Sequence, residues 1–141
     1  MMGYAAAAAL TFCTPSTGVA AQPAAVVDAF LAGWNANNPT LLSKTMVQTA
    51  QVDLYDDDRI TAEDFLRQAQ ANRQYFAPVI PTSTSIRGGW VDLVIQSERP
   101  CLRVRGDTRP CEASWQNSNM SLEVAEGCIT EFALSLPEVS E

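Results

Sequence analysis

Histidine is absent from this chain of 141 residues. That absence removes the usual general base, the commonest metal ligand and every Ser–His or Cys–His nucleophile arrangement. Cationic charge is also scarce. Nine Lys and Arg face sixteen Asp and Glu, for a net charge of −7. An acidic chain of pI near 4.4 repels phosphate backbones, so nucleic acid is not an expected partner. No apolar run reaches the roughly 18 residues that a membrane-spanning helix needs. Length excludes a second core, because the chain can bury only one domain of ordinary composition, 47% hydrophobic and 18% charged.

What is present begins with an alanine-rich apolar stretch from Tyr4 to Phe12, followed by Pro15 and small residues. Val19-Ala20-Ala21 fits a small-residue cleavage site. The pattern predicts a signal peptide over 1–21, a domain over 22–141 and a secreted or periplasmic location. One feature departs from it: no Lys or Arg precedes Lys44. The alternative is an N-terminal extension that stays with the protein. A lipid-modified Cys13 fits less well, because the bulky Phe12 stands where a small residue is expected. Removal of residues 1–21 takes Cys13 away and leaves Cys101, Cys111 and Cys128, enough for one disulfide and a spare thiol. Cys101 and Cys111 flank Arg105-Gly106-Asp107. Arms pairing about Gly106 would bring those two cysteines face to face, and an oxidising compartment would join them. The alternative is that all three pack as small hydrophobes.

Along the rest of the chain the apolar period changes once. Val26, Val27, Phe30, Leu31 and Trp34 recur at helical spacing from Pro23 to Asn37. Asn38-Pro39 then opens a short second helix, expected over Thr40 to Val47. Gln51 to Tyr55 alternates like a half-buried strand, and the three aspartates 56–58 make a turn. Thr61-Ala-Glu-Asp64 resembles a capping box for a third helix that carries Phe65, Leu66, Ala69 and Phe76 inward and stops before Pro78. Beyond Pro81 the period is two. A weak strand over Thr82 to Arg87, a Gly88-Gly89 turn and a strong strand over Trp90 to Gln96 are expected. A long strand follows from Cys111 to Val124. In it Trp115 and Met120 differ in parity, which predicts a β-bulge within Gln116 to Asn119. The Glu126-Gly127 turn between apolar runs closes the chain with a hairpin. Helices first and antiparallel strands last is an α+β layout.

Three blocks in this order resemble the nuclear-transport-factor-2-like superfamily, and most of all its SnoaL-like branch. They are residues 26–39 (VVDAFLAGWNANNP), Val52-Asp-Leu-Tyr-Asp56 through Thr61-Ala-Glu-Asp-Phe-Leu66, and residues 122–132 (LEVAEGCITEF). The resemblance implies a cone-shaped fold, three helices against a curved antiparallel sheet, with a pocket between them. It also implies relatives as different as ketosteroid isomerases, polyketide cyclases, dehydratases and non-catalytic binding domains, so fold alone does not give function. The glycine usually found before the third helix is missing, and the resemblance does not extend to Glu98 to Pro110.

Each catalytic reading meets an obstacle. The isomerases' tyrosine donor would fall at Phe30, which has no hydroxyl, and their base would fall near Leu54 to Asp56. The dehydratases rely on histidine. Asp56 is therefore one candidate base, set against a solvated Asp turn. Asp92 is the other, mid-strand on the face shared by Trp90 and Val94. Facing a pocket, it would be poised for proton transfer; strand alternation favours the opposite orientation, with Val91, Leu93 and Ile95 inward. Phe30, Trp34, Tyr55, Trp90, Trp115 and Phe132 could line a pocket for a small apolar or weakly acidic organic ligand, or could simply be core. Arg99, Arg103, Arg105 and Arg109 crowd one stretch that could hold an anion or end as a solvated hairpin tip. No metal or cofactor is expected. The expected protein is an exported, non-catalytic ligand-binding or interaction domain, dimeric through the outer sheet face. The competing expectation is an isomerase or cyclase with an aspartate base.

Overall fold

The computed structural model describes residues 10–17, 22–54, 58–71, 76–99 and 114–135. Helix α1 (Pro23–Asn35) begins on a proline, whose fixed φ suits the first helical turn. It buries Val27, Phe30, Leu31 and Trp34 along one stripe. Helix α2 (Pro39–Ser43) is capped by Asn38, whose Oδ1 accepts from the Leu41 N–H at 3.2 Å. It ends sooner than the sequence pattern suggested. Met46 and the residues after it belong to strand β1 (Met46–Leu54), which the sequence reading began at Gln51. Tertiary pairing decides the difference: Met46 already pairs with Ile129 in a neighbouring strand and is fully buried there. A short strand β2 (Asp58–Thr61), not foreseen, pairs antiparallel with β1. Helix α3 (Ala62–Ala71) follows directly, and the Thr61 hydroxyl accepts from the Asp64 N–H at 3.2 Å. That is the first half of the capping box.

Strands β3 (Val79–Arg87), β4 (Trp90–Arg99), β5 (Ser114–Ala125) and β6 (Cys128–Leu134) complete a six-stranded sheet of order β2-β1-β6-β5-β4-β3. All neighbours are antiparallel except β1 and β6, which run parallel. The sheet is open, with β2 and β3 at its edges. Two turns set its registers. At Gly89 a Cβ would lie 2.8 Å from the Val124 carbonyl oxygen, and the Val124 N–H donates to the Gly89 carbonyl at 2.7 Å. At the other turn Glu126 and Gly127 both have positive φ, +53° and +82°, as a two-residue hairpin of the right twist requires.

The bulge expected within Gln116 to Asn119 is not where the sheet bends. Strand β5 pairs with β4 without interruption from Arg99↔Ser114 to Trp90↔Glu123. Register shifts occur instead between Glu123 and Val124, between Pro81 and Ser83, and between Met46 and Gln51. The apparent phase slip came from counting Trp115 as an inward residue. Its ring is on the outer face and 55% exposed, while Ser118, Met120, Leu122 and Val124 point inward. Helix α1 is tied to the sheet edge by a two-way amide clasp. The Val79 N–H donates to Asn35 Oδ1 at 2.8 Å, and Asn35 Nδ2 donates to the Val79 carbonyl at 3.0 Å.

Candidate functional site

Between the helices and the sheet the structure places a cluster of aromatic rings. Phe30 and Trp34 come from α1, Phe65 from α3, Phe76 from the segment after it and Phe132 from β6. Trp34 is the hub. Its ring centroid lies 4.5 Å from Phe76, 5.9 Å from Phe30, 5.9 Å from Phe132 and 6.4 Å from Phe65. Phe132 in turn lies 5.1 Å from Phe30 and 6.0 Å from Phe65. These spacings are those of rings packed on one another, not of rings around a void. The indole Nε1–H, which must find an acceptor when buried, donates to the Ala77 carbonyl at 2.8 Å. Three of the six residues expected to line a pocket, Phe30, Trp34 and Phe132, thus meet in one place, and there they are packed core. Tyr55 lies outside the described residues. Trp90 is half-buried and Trp115 exposed, both on the other side of the sheet.

Asp92 also belongs to that outer side. Val91, Leu93 and Ile95 are buried against the helices, and Asp92 projects away from them. Its Oδ1 accepts from the Ser121 hydroxyl at 2.8 Å across the β4–β5 pair. Its Oδ2 accepts from Arg87 Nε at 3.0 Å, with Arg87 Nη2 at 2.9 Å. These bonds, Ser121's first and Arg87's second, hold the carboxyl below its ordinary value. An acid held that way is a weakened base. Ser121, opposite Asp92 in the register, was not singled out in the sequence, since its role follows only from strand pairing. Asp56 lies outside the described residues. So do Arg103, Arg105, Arg109, Cys101 and Cys111, and nothing of the Arg99 side chain is described.

Among the described residues no acid is buried, and the buried polar side chains are Ser43, Thr45 and Ser118. No group of His, Cys, Asp or Glu among them could hold a metal ion. No helix among them is long and apolar enough to cross a membrane. The outer face alternates charge with apolar side chains. Glu123 stands opposite Glu131, with Glu123 Oε1 accepting from the Thr130 hydroxyl at 2.7 Å. Toward the far end Val94, Ile80 and Trp115 share this face, the last two more than half exposed.

Among the described residues, two open grooves lie beside the sheet. One, of about 530 Å³, runs between α1 and the Glu126-Gly127 turn past Ala25, Val26, Ala29 and Lys44. The other, of about 610 Å³, lies between β1 and residues 10–15. Those N-terminal residues are seated against the body of the fold. Leu10 and Phe12 pack against the core, the Cys13 N–H donates to the Met46 carbonyl at 2.8 Å, and Cys13 is disulfide-bonded to Cys128. The sequence pattern places Cys13 within the segment expected to be removed. The signal that could have found this bond is the even cysteine count of the whole chain.

No protein-family model and no curated protein matches the sequence. Solved structures do match in three dimensions. An NTF2-like protein of unknown function from Cytophaga hutchinsonii superposes with a TM-score of 0.62 at 11% identity, over 86% of this chain and 95% of its own. A candidate SnoaL-like polyketide cyclase from Jannaschia sp. gives 0.62 at 10% identity, over 89% and 91%. A protein with a ketosteroid-isomerase-like fold from Catenulispora acidiphila, solved with trimethylamine, gives 0.60 at 15% identity, over 79% and 84%. At such identities the likeness is one of architecture: this chain has the nuclear-transport-factor-2-like fold.

Proposed function

We propose that the protein is a non-catalytic interaction domain that works in an oxidising, extracytoplasmic compartment and pairs with a second copy through its outer sheet face. The observation that carries this reading is the aromatic cluster, which fills the space between helices and sheet where the sequence resemblance implies a pocket. A ring-filled interior with no acid among its described residues offers nothing to move a proton. Asp92, the better of the two candidate bases, is on the opposite face with its carboxyl stabilised as the anion, which weakens the isomerase reading. The Cys13–Cys128 bond supports the choice of compartment, because disulfides persist where thiols are not kept reduced. A cut after Ala21 would leave the fragment ahead of it attached through that bond.

The outer face supplies the surface. Exposed Ile80 and Trp115 with half-buried Val94 at one end are the kind of apolar set that a symmetric contact buries, with Trp115 as its anchor. Sedimentation of the full chain tests this. A dimer that Trp115→Ser converts to monomer, with an unchanged far-ultraviolet spectrum, is the expected result. A wild-type monomer at tens of micromolar would overturn the pairing.

A further inference from the structure

We propose that residues 10–17 form a releasable strap, and that the Cys13–Cys128 disulfide is a thiol-exchange site whose reduction vacates a peptide groove along the sheet flank. The strap lies against the body as an extended peptide would lie in a binding groove. Its Cys13 N–H donates to the Met46 carbonyl at 2.8 Å, its Ser16 N–H reaches the Glu126 carbonyl at 3.4 Å, and its Thr11 carbonyl lies 2.9 Å from the Ser43 hydroxyl. Leu10 and Phe12 point into the apolar flank, while Thr11 and the residues from Thr14 to Thr17 are exposed. Backbone bonds with alternate side chains inserted are the signature of a bound peptide segment. Here the occupant is the chain's own residues 10–17.

What holds the occupant is mainly the covalent tie. Among the described residues the noncovalent attachments include those three polar contacts and two partly buried side chains, whereas the disulfide joins residues 115 apart in sequence. That bond adds a second tether to the one the chain supplies from Thr17 to α1, and it fixes Cys13 against β6. The two sulfurs differ in access. Cys128 is fully buried in β6 and Cys13 is part-exposed, so an incoming thiolate reaches Cys13 Sγ. The attacking sulfur forms a bond to Cys13 Sγ as the Cys13–Cys128 bond breaks, and Cys128 leaves as the thiolate and takes up a proton. The second thiol of a dithiol reductant then attacks the mixed disulfide on the reductant's own sulfur, freeing Cys13. The protein gains two electrons and two protons, and the reductant leaves as its disulfide.

The test uses the full chain, oxidised and after dithiothreitol under native conditions, with peptide-mapped alkylation and hydrogen exchange. Expected are alkylation at both Cys13 and Cys128 and at least tenfold faster exchange at the amides of Cys13 and Ser16, with Ile129 and the rest of β6 changed less than twofold. The Cys13→Ser variant, examined without reductant, should reproduce the faster strap exchange independently of any other cysteine. Three results would each overturn the proposal. The bond could resist dithiothreitol until the protein unfolds, the strap amides could keep their protection once the bond is broken, or reduction could abolish the far-ultraviolet signal, making the disulfide a staple of the whole fold.

Discussion

Replacing Phe132 by alanine separates a packed interior from a ring-lined pocket. Phe132 is 1% exposed, with the centroids of Phe30, Trp34 and Phe65 within 6.0 Å. Losing the buried ring forfeits about 2 kcal/mol of transfer free energy. If neighbouring rings cannot close the gap, a residual cavity of about 80 Å³ at ~24 cal/mol per Å³ adds about 2 kcal/mol more. The expected loss is therefore about 4 kcal/mol, a large share of the 5–15 kcal/mol that typically holds a domain together. Urea unfolding followed by tryptophan fluorescence measures it as a lower midpoint at constant slope. A ring bordering an open pocket has few neighbours on one side and leaves no new void there. A loss below about 1.5 kcal/mol would thus refute the packed-interior argument, most clearly if an added apolar ligand raised the wild-type midpoint.

Three further outcomes follow from local geometry. Gly89→Ala should cost about 1–3 kcal/mol, because the new Cβ meets the Val124 carbonyl and strains the 2.7 Å bond that the Val124 N–H of β5 donates to the Gly89 carbonyl; the urea midpoint reads it. Glu126→Asn should stabilise by about 0.5–1 kcal/mol, since asparagine tolerates the positive φ of +53° that glutamate adopts at a cost; thermal unfolding checks the rise. The Asp92 carboxyl, held below its ordinary value by Ser121 and Arg87, favours the folded state at every pH above the unfolded value of about 3.9. That contribution disappears as pH falls through the lower folded value. Ser121→Ala should move the Asp92 titration upward in a carboxyl-detected NMR titration, and the stability gap between the two proteins should shrink below about pH 4.

Much of this architecture is legible in the sequence because local pattern and tertiary structure agree. The α1 stripe from Val27 to Trp34, the third helix with Phe65, Leu66 and Ala69, and the Glu126-Gly127 hairpin each carry a period or turn signal that packing reinforces. Failures occurred where long-range pairing decides. Met46 entered a strand because Ile129 pairs with it, and no local signal records that. Trp115 misled the phase of β5, since an exposed tryptophan breaks the equation of apolar with inward. Of the candidate site, Phe30, Trp34 and Phe132 were found, but whether rings touch or surround a space is set by how close α1 and α3 approach β6. The Cys13–Cys128 bond is not legible locally, because Cys13 lies within the apolar, targeting-like stretch and its partner is 115 residues away in sequence.

Native mass spectrometry of the full oxidised chain, after incubation with lipid and steroid extracts, distinguishes a packed interior and a pairing outer face from a ligand pocket. The expected result is a dimer whose mass is that of two chains and nothing more, with Trp115→Ser giving a bare monomer. A discrete small-molecule adduct that survives in the Trp115→Ser monomer would contradict it and return the interior to the role of a ligand pocket.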